Sequence, residues 1–223
     1  MSKTNTIVKA NVLIEASYRL TLNEQRLILL AISKVNPIEK LTEGQLFVVT
    51  VKEWQECYRC TYSSANEAMM EAEPTLFERQ ITLHVGNDSI KTRWIQSVRY
   101  YARQGKIGIR FSFDLLPYLS ELRSHFTSYK LKEISGLTSV YAVRLFEMLK
   151  QFGDINKSRY FVIKVEDFRN RLGIEDEYSR FGNLKAKVIE VAVNQIKENT
   201  EFKNLSYKQE TEGRKVVRLA FFF

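Results

Sequence analysis

The chain has 223 residues, 44% of them hydrophobic, enough for one large domain or for two of about 100 residues each. Its 34 Lys and Arg against 26 Asp and Glu leave a net charge of +8 and a pI near 9.4, a balance that favours a polyanionic partner. No run of about 18 apolar residues occurs and Met1 to Lys9 holds no apolar signal core, so the expectation is a soluble cytoplasmic protein with no membrane role.

After a polar tail, Ile7 to Leu13 reads as extended. Thr21 and Glu24 make a capping box for a largely buried helix running to about Val35 and stopped by Pro37. Phe47 to Val51 follows as a short strand and Lys52 to Tyr58 as a short helix. A second helix, Ser63 to Glu78, turns Ala65, Met69, Ala72 and Leu76 inward and is interrupted by Pro74. Strands at Thr92 to Tyr101 and Ile107 to Phe113 are joined by a basic turn of Arg103, Gln104, Gly105 and Lys106. Three helices with such a hairpin make a winged helix.

Leu115 to Lys132 reads as a helix and connector, and Gly136 marks a boundary before a helix from about Thr138 to Gly153. The plan then repeats: a strand at Phe161 to Val165, a short helix at Glu166 to Leu172 ended by Gly173, and a long helix from Arg180 to Asn199. A hairpin of Leu205 to Glu210 and Lys215 to Phe223 closes it, turning at Glu212 and Gly213. The repeat is visible residue by residue, because Phe47, Val48, Val49, Val51, Glu53 and Trp54 correspond at one offset to Phe161, Val162, Ile163, Val165, Asp167 and Phe168. Arg26 and Leu27 answer Arg144 and Leu145 in the same way. The fold class is therefore α+β, two tandem winged-helix domains at residues 1–134 and 135–223.

The stretch from Glu177 to Asn199 carries the chemistry. On a helical wheel Leu184, Val188, Val191, Ala192 and Ile196 share an apolar arc, while Arg180, Asn183, Lys187, Glu190 and Asn194 line the other side. With Ser179 as cap, Arg180 and Asn183 fall in the first turn, where free amides and the positive dipole end favour phosphate. An ordinary amphipathic surface helix has the same wheel, so context decides. The corresponding first-domain helix carries Glu67, Glu71, Glu73 and Glu78, which face phosphate badly. Its candidate contacts are Ser63, Ser64 and Asn66 at the helix start and Arg103 and Lys106 in the turn.

The chain resembles the iteron-binding replication initiators of theta-replicating plasmids, to which the initiator of the F plasmid belongs. The likeness covers nearly the whole chain. It rests on Asn11, Leu20, Thr21, Glu24, Gln25 and Arg26, and on Phe111 to Leu119 with Pro117 and Tyr118. It continues in Tyr141, Arg144, Leu145, Glu147 and Leu149, and in Leu184 to Ile196 followed by Gly213, Arg214 and Lys215. The resemblance implies monomers that bind direct repeats of double-stranded DNA at a plasmid origin, help open the duplex and recruit host replication factors, the initiator and helicase. It also implies homodimers that repress the initiator's own promoter. By position it puts the reading helix on Arg180 to Asn194, with basic residues Arg180, Lys185 and Lys187, and with Ala186 where the family has a further basic residue. On the wheel Lys185 leans toward the apolar arc. The second domain is thus the expected main reader, and the first the expected source of backbone contacts and of dimerisation. The apolar start, Ile7, Val8, Val12, Leu13 and Ile14, is the candidate strand edge for pairing two copies.

Catalytic patterns are missing. Gly105 and Lys106 are followed by Ile107, which is no nucleotide phosphate loop. The two histidines, His84 and His125, are too far apart to hold a metal beside a nucleophilic tyrosine, which leaves Tyr100 and Tyr101 as strand residues. Cys57 and Cys60 form a lone Cys-x-x-Cys short of two zinc ligands and read as two reduced thiols. The expectation is a non-enzyme without cofactor or metal. A winged-helix repressor binding an inverted-repeat operator is the main alternative, and a protein-interaction module with an incidental basic face the third.

Overall fold

The computed structural model describes residues 5–101, 103–156 and 159–223, with the backbone alone for residues 154–156. The first four residues of the polar tail lie outside them. In the first half the order is β1 (Thr6–Ala10), α1 (Asn11–Glu15), β2 (Ser17–Tyr18), α2 (Leu22–Ile32), β3 (Phe47–Thr50), α3 (Val51–Tyr58) and α4 (Tyr62–Leu76). Strands β4 (Gln80–Val85), β5 (Asp88–Arg93), β6 (Ile95–Tyr101), β7 (Lys106–Phe111) and β8 (Phe126–Lys130) follow. The second half holds α5 (Val140–Asn156), β9 (Tyr160–Lys164), α6 (Val165–Leu172), α7 (residues 181–199), β10 (Ser206–Glu212) and β11 (Lys215–Phe222).

Both halves are winged helices of one design. The sheets run β3-β7-β6 and β9-β11-β10, so in each the strand before the short helix pairs with the last strand of the hairpin. The matched residues do matched work: Phe47, Val49 and Trp54 are buried in the first domain as Phe161, Ile163 and Phe168 are in the second. Thr21 and Thr50 each close a full capping box, with Glu24 and Glu53, which starts α2 at Leu22 as expected and α3 at Val51, one residue before the expected Lys52. Gly173 ends α6 in a left-handed conformation with φ of 64°, and its amide bonds back to the carbonyls of Arg169 and Asn170.

Several expectations give way. The apolar start is not one strand, because α1 follows β1 at once, and Ile7, Leu13 and Ile14 are fully buried in the chain's own core. That removes the free apolar face on which pairing of two copies at this edge was argued. Helix α2 stops at Ile32 rather than near Val35, since the amides of Lys34 and Val35 reach back only three residues, to Ala31 and Ile32. Pro74 does not interrupt α4, which runs on through it to Leu76; it removes only the one N–H that would have reached the Met70 carbonyl, two residues before the helix ends. Helix α5 runs through Gly153, whose missing side chain makes room for the Phe223 ring 3.3 Å from where a Cβ would stand. The stretch Leu115 to Lys132 holds a 3-10 turn at Phe113–Tyr118 and strand β8, which pairs with β1 (Val8 opposite Ser128). A β4-β5 hairpin, turning at Gly86 with φ of 61°, precedes the expected pair of strands and extends β2 into a small sheet.

The two domains share one buried ionic cluster. Lys9 of β1 bonds Glu147 of α5, and their side chains are 1% and 0% exposed. Tyr129 of β8 donates to the same carboxylate oxygen at 2.5 Å, and Arg144, one turn before, lies 3.4 Å from the other. Arg144 also donates to the carbonyls of Ile14, Ala16 and Arg171 at 2.7–3.0 Å and stacks on Tyr18, 3.9 Å from its ring centre. Arg26, its counterpart by repeat, stacks on Tyr58 at 4.5 Å and donates to the Leu137 carbonyl at 3.2 Å. Burial alone would lift the Glu147 pKa, but Lys9 and Arg144 outweigh it and hold the carboxyl below its ordinary value. Burial in turn pushes Lys9 down against the pull of Glu147.

Two predictions follow from these contacts. A Cβ at Gly173 would stand 2.7 Å from the backbone carbonyl of Tyr18, whereas one at Gly213, at the similar φ of 60°, would meet nothing within 4 Å. Gly213→Ala should therefore cost about 1 kcal/mol and Gly173→Ala at least about 2 kcal/mol in denaturant unfolding, and equal costs would refute the close approach. Glu147→Gln leaves Lys9 uncompensated and should cost about 3 kcal/mol or more at neutral pH. Because the folded pKa of Glu147 is depressed, its contribution is complete above the ordinary carboxylate range and is lost as pH falls through the depressed value. The stability gap between parent and variant should thus narrow below about pH 4, and a gap that stays constant or widens there rejects the assignment.

Candidate nucleic-acid interface

The loop that leads into α7 is clamped from behind. Arg169 of α6 donates to the backbone carbonyls of Glu177 and, at 2.6 Å, of Tyr178, which itself has φ of 51°. The Tyr178 hydroxyl meets that of Tyr141 at 3.3 Å, and Arg19 of the first domain pairs with Glu177. The helix therefore begins one residue later than expected. Arg180, not Ser179, is the N-cap, and no side chain caps it. The first-turn amides of Phe181 and Gly182 are left to an external acceptor, and a Cβ at Gly182 would have nothing within 4 Å.

The body of α7 is not a uniform α-helix. Phe181–Leu184 and Glu190–Asn199 are α-helical, but Lys185–Ile189 between them form a π turn. The wider turn retards the angular advance of everything after it. The buried row becomes Leu184, Val188, Ile189, Ala192, Val193 and Ile196, while Val191, expected inside, is 36% exposed. Asn183, Lys187 and Val191, four residues apart, all face outward, with Ala186, Glu190 and Asn194 exposed beside them. Lys185 is neither buried nor free, its side chain 43% exposed and 3.6 Å from Glu190. Gln195 turns the other way, accepting from the amides of Thr138 and Ser139 at 2.9 and 3.0 Å and so holding α7 to the start of α5. At the wing, Arg214 and Lys215 are exposed beside Gly213.

In the first domain the start of α4 and the β6-β7 turn are built against each other. Gly105, with φ of 55°, lies so close to the Tyr62 hydroxyl that a Cβ would stand 2.6 Å from it, and its carbonyl accepts from Val51 N at 2.9 Å. That brings Arg103, exposed at φ of 61°, and Lys106 to the helix end that carries Ser63, Ser64 and Asn66. Thr61 caps α4 by accepting from Ser64 N at 3.2 Å. The three polar side chains are already engaged locally, Ser63 with Glu67 at 2.9 Å, Ser64 with Thr61 at 2.9 Å and Asn66 with Met70 sulfur at 3.4 Å. Glu67 and Glu71 stay exposed along the helix. Lys106 and Arg99 sit over the Tyr101 ring at 4.7 and 4.9 Å, so Arg99 joins this basic group, which alternation along β6 did not single out.

Elsewhere the chemistry is quiet. Burial pushes the Cys57 thiol up to about 11, which keeps it in the protonated form that is a poor nucleophile. Among the described residues no three His, Cys, Asp or Glu side chains could hold a metal ion together, and no helix is long and apolar enough to cross a membrane.

Comparison with known proteins agrees with this architecture. An Escherichia coli protein called PI protein is 25% identical over 256 aligned positions, which cover 100% of this chain and 84% of that protein. The crystal structure of Pi initiator protein in complex with iteron DNA shares the fold with a TM-score of 0.82 at 22% identity, over 99% of this chain and 97% of that one. Domains 2 and 3 of RctB share it more distantly, with a TM-score of 0.51 at 11% identity, over 91% and 81% of the two chains. The family model for the initiator replication protein WH1 domain matches residues 6–150 and that for the initiator Rep protein WH2 domain residues 164–223. With both models matched in order over most of its length, the chain belongs to the initiator replication protein family.

Proposed function

We propose that this protein binds double-stranded DNA at direct repeats of a plasmid origin and so initiates replication, acting by binding and recruitment rather than by catalysis. The observation that carries the reading is the two-domain arrangement, matched over 99% of the chain in a relative seen in complex with iteron DNA. Exposure of Arg180, Asn183 and Lys187 along one end of a helix whose first amides are uncapped supports it. On this reading residues 135–223 contain the main reader, with Asn194, Lys185, Arg214 and Lys215 supporting it. Residues 1–134 add backbone contacts through Ser63, Ser64, Asn66, Arg103 and Lys106, joined by Arg99. Homodimers that repress the initiator's own promoter, and host replication factors that follow the bound monomer, complete the proposal.

The test is a titration of duplexes carrying direct or inverted copies of the repeats that flank the gene. Affinity for a direct repeat should fall steeply with salt, with a slope of about −0.9 per phosphate neutralised. Lys187→Ala and Asn183→Ala should relax base preference, while Arg103→Gln should weaken all sequences alike. A flat salt titration removes the nucleic-acid reading. Binding only as a dimer, and only to inverted repeats, favours an operator-binding repressor, and altered base choice in Arg103→Gln alone reverses the roles of the two domains.

A further inference from the structure

A cleft of about 560 Å³ separates the two domains, lined by Arg19, Gln25 and Arg79 from the first and by Thr138, Ser139 and Arg144 from the second. Its lining includes no Asp or Glu. Arg144 and Gln25 are each 3% exposed, and behind the cleft wall Arg144 Nε and Gln25 Nε2, both closed to solvent, have no hydrogen-bond partner among the described residues. Arg79 bonds the buried Glu24 through Nε alone, at 2.8 and 2.9 Å, which leaves both of its terminal nitrogens for a ligand. Arg19 engages Glu177 through Nη1 only. The hydroxyl oxygens of Thr138 and Ser139 already accept, from Gln195 Nε2 at 3.0 Å and from Tyr141 N at 3.2 Å, so their hydrogens point elsewhere. These two residues also precede the N-terminus of the 17-residue α5, the positive end of its dipole.

The lining is thus rich in donors and poor in acceptors. A water molecule would bring two hydrogens of its own that find few partners there, whereas a phosphate oxygen only accepts. We propose that this interdomain cleft is a phosphate-binding site. Val191 and Gln195 of α7 form part of its wall, so a duplex whose groove held Asn183 and Lys187 would carry its backbone toward the opening. The phosphate is then either one of that backbone, a source that rests on the DNA-binding reading, or one on a free nucleotide, which does not.

The experiment compares the full chain with an Arg19→Gln/Arg79→Lys variant, in which lysine keeps the ion pair with Glu24. Single Arg19→Gln is the fallback should the double variant misfold, since that pair is 59% exposed at Arg19, and Lys91→Gln controls for net charge. One arm follows thermal unfolding in inorganic phosphate against chloride at equal ionic strength. The other maps ethylation interference on a duplex carrying one flanking repeat. The parent and the control should gain about 3 °C or more at a tenfold excess of phosphate over its dissociation constant, and the cleft variant should gain nothing. Interference that disappears in the cleft variant at one or two backbone phosphates while the rest of the map, set by α7, is unchanged identifies DNA as the source; loss across the whole map reports a displaced α7 and leaves the melting arm to decide. A melting response lost in the variant with an unchanged interference map identifies a free phosphate-bearing ligand. If the variant matches the parent in both arms, or the parent gains nothing and its interference map is unaltered by the substitutions, the proposal is overturned. Should the parent bind no duplex at all, the DNA-binding reading fails and the melting arm alone decides the cleft.

Discussion

Glu147 is the residue on which the arrangement of the two domains turns. A carboxylate with no exposure is tolerated only when its charge is met on the spot, and Lys9, Tyr129 and Arg144 meet it from β1, β8 and α5. The lysine and the tyrosine come from the first domain's terminal ribbon and the carboxylate from the first helix of the second. Neither domain can therefore move away without stranding a charge in the core. Arg144 extends the constraint by tying three backbone carbonyls, two before α2 and one at the end of α6, to the same point. Purely apolar contact would permit sliding; a hydrogen-bonded ionic cluster has one geometry.

From that fixed point the orientation of α7 follows in short steps. Its entry is held by Arg169 and by the Arg19 to Glu177 pair across the domains, and its far end by Gln195 against the amides before α5. The exposed row of Asn183, Lys187 and Val191 is thus presented by a frame rather than by a free helix. In the first domain the start of α4 meets the β6-β7 turn at the Tyr62 hydroxyl, seated where a side chain on Gly105 would have been, and its far end is tied to α2 through Thr75 and Glu24. The contrast would suit the proposed division of labour, in which one helix reads and the other domain steadies. An acidic α4 has little to gain from a closer approach to DNA.

What the sequence made legible was whatever depends on neighbours along the chain. The capping box at Thr21, the left-handed stop at Gly173, the β10-β11 hairpin and the inward face of α4 are all written within a few residues. The repeat of Phe47 to Trp54 in Phe161 to Phe168 made the double winged helix readable from the same local signals. Features set by distant partners were not readable. Strand β8 is a strand because β1 lies beside it, over a hundred residues earlier, and the burial of Lys9 and Glu147 has no signature in a pattern that treats charge as surface. Two further features do carry local signals: Gly86 with Asn87 is a turn pair, and Arg144 stands in the repeat where Arg26 does. At the candidate site the residue types were legible but their phase was not, because a helical wheel assumes constant pitch and α7 changes pitch at Lys185.

That change of pitch separates two properties of one helix that ordinarily vary together. The buried row of α7 answers to the hydrophobic core, and the exposed row answers to whatever lies outside. A π turn behaves as a single residue added to an α-helix. Its gain or loss turns one half of the helix relative to the other, while apolar residues on both sides of the junction can still find the core. A lineage could in this way re-aim Asn183 and Lys187 relative to Val191 and Asn194 by a change in length alone, with no substitution at any of the four. Divergence in what such helices recognise would then be recorded as gaps between aligned sequences as much as in the letters themselves.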